Sequence, residues 1–164
     1  MKKSIFIFIL MATGLSCLMS CSQPTSQDIL IAEVRNNDAS FKYNHEKIAS
    51  SLTVFFEQDV RIYACDIVFD DGQYYLRGKA KDTDTDEPVG KVIIDLIKKG
   101  DNLYLPKIAN ARVCTLGNSC LKCIDNGVKC ACELNSTPAA GSCYWANNGG
   151  GTAYLTFFDI LQQK

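Results

Sequence analysis

The chain has 164 residues, nine of them cysteine, and sets 17 Lys and Arg against 18 Asp and Glu. With a net charge of −1 and no basic run or basic helix face, it lacks the clustered cations that nucleic-acid binding needs to displace counterions. Its one long apolar run is too short to cross a bilayer stably as a helix.

Taken in chain order, Met1-Lys2-Lys3 places two cations before Ile5-Phe6-Ile7-Phe8-Ile9-Leu10-Met11, which continues loosely to Leu15. This is the pattern of a secretory signal. The run closes on Leu18-Met19-Ser20-Cys21: an aliphatic residue, a tolerant position, a small residue and a cysteine. That tetrad resembles the lipobox of bacterial lipoproteins. The resemblance implies cleavage before Cys21 and diacylglycerol on its thiol, so the membrane becomes a partner through lipid. Each buried acyl methylene contributes about 0.8 kcal/mol to such an anchor. Cys17 offers a second frame, Gly14-Leu15-Ser16-Cys17, but Gly14 stands where the lipobox takes an aliphatic side chain, so Cys21 is the expected acceptor. In lipoproteins of this type an Asp after the lipidated cysteine favours inner-membrane retention. Ser22 stands there instead, which points to the outer membrane.

The expected organisation is a signal peptide at 1–20, a lipidated tether at 21–27 and a single α+β domain at 28–164, with 114–143 as a cysteine-rich cap. Removing Lys2 and Lys3 takes Lys and Arg from 17 to 15 against 18 acidic residues, a net charge of −3 for the mature chain. Ser22 to Gln27 is small and polar with a proline, a composition that buries nothing and suits a tether. From Asp28 the spacing of Ile31 and Val34 predicts a first helix. After the polar Asn36-Asn37-Asp38, the positions of Ile48, Leu52, Phe55 and Phe56 predict a second, with Asn44 as its N-cap.

Beyond it the period changes. Arg61 to Phe69 and Gln73 to Gly78 are β-branched and aromatic runs flanking Asp70-Asp71-Gly72, a strong hairpin signal. Asp82 to Pro88 is a polar loop, Val89 to Ile97 a third strand, and Lys99 to Asn102 a turn into Leu103-Tyr104-Leu105. The expected fold is α+β: an N-terminal helical region packed on a four-strand antiparallel β-meander, followed by a disulfide-rich C-terminal segment. The last apolar run, Thr152 to Leu161, is expected to return to the sheet as an edge or closing strand.

Cysteines dominate the candidate chemistry. Six of them are spaced C-x5-C-x2-C-x6-C-x-C-x10-C among Gly, Asn and Ser, in a segment that cannot hold itself by apolar burial. Export makes disulfides the default. With Cys17 and Cys21 set aside, the candidates are Cys65, Cys114, Cys120, Cys123, Cys130, Cys132 and Cys143, an odd set. Either three bridges form within 114–143 and Cys65 is a buried free thiol, or Cys65 pins the cap to the sheet and another cysteine is free. Cys130 and Cys132 are a poor mutual pair, because backbone strain opposes closure between residues two apart. The rival reading takes Cys120, Cys123, Cys130 and Cys132 as four thiolates for zinc or iron. Against it, cluster insertion before export calls for a twin-arginine signal rather than Lys2-Lys3, and zinc thiolates compete with oxidation. A redox role for Cys120-Leu121-Lys122-Cys123 lacks the βαβ setting that lowers a catalytic thiol's pKa. Ile124 stands where haem attachment needs His.

Other candidates are weaker. Asp82-Thr83-Asp84-Thr85-Asp86-Glu87 begins like a calcium loop, but Glu87 and Ile93 occupy the positions that need Gly and Glu. His45 is the sole histidine, near a helix start, and no nucleophile motif accompanies it. Tyr74, Tyr75, Tyr104, Tyr144, Trp145 and Tyr154 offer aromatic surface for a protein or glycan ligand, or else pack against cross-strand neighbours. Asn135-Ser136-Thr137 is a glycosylation sequon in form only, given the bacterial signal.

The lipobox, the Tyr-Tyr-Leu-Arg-Gly hairpin, the Asp-Asn-Leu-Tyr-Leu-Pro strand and the cysteine-rich tail together resemble small cysteine-rich lipoproteins of the Bacteroidetes. That resemblance lends no activity, no cofactor and no catalytic residues. The functional expectation is an envelope-anchored, non-enzymatic binding or structural module. The alternative is a metal-binding or thiol-redox envelope protein using the Cys120 to Cys132 cluster.

Overall fold

A computed structural model describes residues 28–36, 38–56, 59–115, 123–124, 127–132, 144–146 and 151–163. The expected signal peptide and tether with Cys21, the sequon, and Cys120 and Cys143 lie outside the described residues.

The stretch expected as a first helix is a strand, β1 (Ile29–Arg35). Its antiparallel register with β7 (Asn102–Leu105) shifts between Leu30 and Ala32, so Ile31 is an extra residue in the ladder. A bulge converts the strand's period of two into a local spacing of three, which is why Ile31 and Val34 imitate a helical face. On its other side β1 pairs with β2 (Asp38–Phe41), and β7 pairs with β6 (Ile97–Lys99), giving a sheet ordered β2-β1-β7-β6.

Helix α1 (His45–Leu52) starts where Asn44 accepts a hydrogen bond from the Glu46 backbone N–H at 2.7 Å and satisfies one of the helix's orphan donors. A short 3-10 turn, Thr53–Phe55, follows. The hairpin then forms from β3 (Val60–Asp70) and β4 (Gln73–Asp82). Its two-residue turn needs left-handed backbone at both positions, and Asp71 (φ 46°) and Gly72 (φ 79°) supply it.

Strand β5 (Pro88–Asp95) pairs with β4 on one side and with β8 (Ala111–Thr115) on the other. Beyond β8 lies β11 (Tyr144–Ala146), so the second sheet is ordered β11-β8-β5-β4-β3. A separate ladder joins β9 (Cys123–Ile124) to β10 (Ala131–Cys132).

The expected single meander is therefore corrected to two antiparallel sheets. The predicted strand Val89 to Ile97 breaks at Leu96, a buried residue at which the chain leaves the second sheet for the first. The expected closing strand is also corrected, since α2 (Thr152–Gln162) is a helix. Tyr154, Phe157, Phe158 and Leu161 are its buried residues, at i, i+3, i+4 and i+7, a helical period hidden in an aromatic-rich run. The α+β arrangement with an N-terminal helical region packed on a meander gives way to a mostly β fold with two short helices.

Both helices are held by specific contacts. Phe55 meets Phe157 at 5.7 Å between ring centroids. Lys47 Nζ donates to the Leu161 carbonyl at 3.3 Å and also to that of Gln163, satisfying carbonyls at the end of α2. The Tyr154 hydroxyl donates to the Pro106 carbonyl just past β7, and burial holds that phenol well above its usual pKa.

Candidate binding surface

The second sheet has two different faces, and its register says which residues share each. Leu76, Ile94 and Ala111 are successive cross-strand partners, as are Gly78, Val92 and Val113, and all of them except Gly78 belong to the buried apolar cluster. One residue over, Arg77, Ile93 and Arg112 are partners, as are Lys79, Lys91 and Cys114. A face carrying that many cations would ordinarily meet water. Yet Arg77 is only 9% exposed and Lys91 only 4%.

Residues 127–130 lie against both cations. Gly127's carbonyl accepts from Lys91 Nζ at 3.1 Å and from Arg77 Nη1 at 3.3 Å. Val128 is buried beside it, and a disulfide joins Cys130 to Cys114 of β8. Residues 127–130 thus lie over the cationic face, and charge-assisted hydrogen bonds at Gly127 and a covalent bond at Cys130 help to hold them there. With Cys130 joined to Cys114, the four-thiolate set Cys120, Cys123, Cys130 and Cys132 lacks one member. Among the described residues no group of three or more His, Cys, Asp or Glu is placed to hold a metal ion.

Cys65 is a free cysteine on the opposite, apolar side, where it packs against the core and stands opposite Gly78. It does not pin the cap. Burial, with a smaller contribution from the Asp66 charge, pushes its thiol up to about 12, so it stays protonated and is no nucleophile at neutral pH. His45 and Cys65 line one hollow of about 350 Å³, together with Asp38, Phe41 and Tyr74. The imidazole there packs edge-on against Phe41 at 4.6 Å.

The acidic 82–87 segment is a turn held from within. Asp82 Oδ1 accepts from the backbone N–H groups of Asp84 and Thr85 at 2.9 and 2.8 Å, and these bonds lower its pKa. Asp86 pairs with Arg61 and with Lys81, which lower its own pKa.

The aromatic candidates separate into distinct environments. Tyr154 is buried; Tyr104 lies under Lys99, with Nζ 5.1 Å from its ring centroid, and Tyr75 lies 5.8 Å from the Arg112 guanidinium. For Tyr144 and Trp145 only the strand position is described. Tyr75 also lines a polar hollow with Asp70, Asp71 and Arg112, whereas Tyr74 builds a surface with an exposed aromatic ring. Its ring sits 4.7 Å from that of Phe69, its cross-strand partner, and Lys98 Nζ lies 5.4 Å from the Tyr74 centroid. Phe69, Gly72, Gln73, Tyr74, Leu96 and Lys98 line a hollow of about 630 Å³.

That hollow is preformed by hydrogen bonds to backbone carbonyls. The Leu96 N–H donates to the Tyr74 carbonyl at 2.9 Å, and Gln73 Nε2 donates to the carbonyls of both Tyr74 and Leu96. Phe69 is 60% exposed, a large apolar ring left in water beside a fixed polar rim. Sequence reasoning named Tyr74 and passed over Phe69. The available signal was the strand end: Phe69 follows the apolar alternation of β3 but stands next to the turn, where the core has run out.

No protein-family model, no curated protein and no solved structure matches the chain.

Proposed function

We propose that the protein is an envelope lipoprotein, lipidated on Cys21 and held at the outer membrane, whose domain is a non-enzymatic binding module for carbohydrate. The observation that carries the binding reading is the exposed Phe69 ring, fixed against Tyr74 and flanked by Lys98 and Gln73 in an open hollow. A pyranose presents one face of C–H groups and an edge of hydroxyls. The C–H face suits the negative face of an aromatic ring, and the hydroxyls suit an ammonium and an amide at the rim. A rigid wall adds affinity because little side-chain freedom is lost on binding.

The lipobox resemblance and the signal-like N-terminus support the anchoring half of the reading. Burial of the Cys65 thiol and engagement of Cys130 in a bridge leave the metal or thiol-redox alternative with less support than the binding one. Affinity electrophoresis through gels containing a panel of bacterial and host polysaccharides tests the carbohydrate reading. Retardation by at least one polysaccharide is expected. Equal mobility in every gel would remove it.

A further inference from the structure

We propose that Cys123 and Cys132 form a disulfide that closes the β9–β10 hairpin and interlocks with the Cys114–Cys130 bridge. The backbone register carries the inference: Cys132 is the cross-strand partner of Cys123, as Ala131 is of Ile124. Directly opposed residues of an antiparallel pair have Cα atoms about 4.5 to 5.5 Å apart, inside the range of about 4.4 to 6.8 Å that a disulfide spans. Neither spacing nor composition singles out this pair among the six clustered cysteines; the register does.

A second observation supports it. A ladder of two residue pairs is too short to persist in water by hydrogen bonding alone, since even full isolated hairpins are marginal. The connection between its strands is nevertheless fixed at Gly127 by Arg77 and Lys91 and at Cys130 by Cys114. Those contacts hold the loop end of the hairpin. Cys123 and Cys132 stand at the open end, where β9 also contacts β5 and a covalent bond would tie the two strands to each other. The two bridges then overlap in sequence, 114 to 130 and 123 to 132, so neither strand of the hairpin can peel away without breaking a bond.

The oxidation balances with a disulfide-bearing thiol oxidoreductase as oxidant. The Cys123 thiolate attacks a sulfur of the oxidant's disulfide, forming a mixed disulfide and releasing one thiolate of the oxidant. The Cys132 thiolate then displaces the oxidant's remaining sulfur. Two electrons pass to the oxidant, and the two protons lost by the cysteines end on its two thiols. Two engaged cysteines are also two fewer ligands, so the bridge removes Cys123 and Cys132 from the thiolate cluster as Cys114 removes Cys130.

Disulfide mapping of the full chain recovered from an oxidising compartment tests this directly. Thiols are alkylated without reductant, and trypsin cuts after Lys122 and Lys129, isolating Cys123 on the peptide 123–129. That peptide is expected attached to the one beginning at Cys130, with fragment ions placing the bond on Cys132. In Cys123→Ala the single newly alkylated residue is expected to be Cys132. Linkage of Cys123 to Cys120 or to Cys143, alkylation of Cys123 in the wild-type chain, or a newly alkylated residue other than Cys132 in the variant would overturn the assignment.

Discussion

Arg77 and Asp66 face each other across the β3–β4 ladder, and the guanidinium grips both carboxylate oxygens, Nε to Oδ1 at 2.8 Å and Nη2 to Oδ2 at 2.5 Å. The same side chain reaches the Gly127 carbonyl, so one residue couples the sheet to the overlying segment. Arg77→Ala removes a bidentate pair and a charge-assisted bond, and is expected to cost about 2 kcal/mol in urea unfolding, after discounting for the half-exposed Asp66. Arg77→Lys should recover less than half of that, because an ammonium cannot reproduce the planar fork. A loss below about 0.5 kcal/mol for the alanine variant would show that the pair is solvent-screened.

Leu52 of α1 sits over Gly78 of the second sheet, leaving no room for a side chain there. A Cβ at residue 78 would lie 2.7 Å from Leu52 Cδ1 and 3.1 Å from Val92 Cγ1, both on fully buried side chains. Gly78→Ala is expected to destabilise by about 1 to 3 kcal/mol through overpacking. Leu52→Ala alone should cost about 2 to 5 kcal/mol. In the double variant the added methyl enters the vacated space, so the two losses should sum to less than their separate values. Strict additivity in a denaturation cycle would contradict the contact.

Cys65 supplies a prediction in alkali. Its folded pKa is raised from 9.0 to about 12, so the folded state holds this proton more tightly than the unfolded chain. The thiol's contribution is whole below pH 9 and is lost as pH rises toward 12. Urea midpoints measured across that window should fall more steeply for the wild-type chain than for Cys65→Ala. At neutral pH Cys65 should resist an alkylating reagent in the folded protein and react once urea is added. Rapid native labelling would show the thiol to be open.

The proposed lipid anchor is tested at one residue. Cys21→Ser should move the protein from the membrane fraction to the soluble fraction and abolish incorporation of labelled palmitate. Retention of both in the variant would return the acceptor role to Cys17 or dismiss it.

Local chemistry was the most legible part of the fold. The Asp71-Gly72 turn and the Asn44 cap depend on residues adjacent in sequence, and both stand where their residue types put them. The misreadings share a cause. A bulge at Ile31 disguised a strand as a helix, and the aromatic run of α2 disguised a helix as a strand; partners distant in sequence decided both. Leu96 could not announce that the chain changes sheets there, because an apolar residue in an apolar run looks the same on either course. The same limit hid Phe69: its exposure depends on where the core ends, a property of the packed molecule.

Isothermal titration of a retarding polysaccharide's oligosaccharide into wild-type protein and into Phe69→Ala tests the central claim most directly. Phe69 is largely exposed, so its truncation should leave the circular dichroism spectrum and urea midpoint almost unchanged while weakening binding by at least tenfold, about 1.4 kcal/mol. Equal affinity for the two proteins would show that the hollow on Phe69 and Tyr74 is not the binding surface.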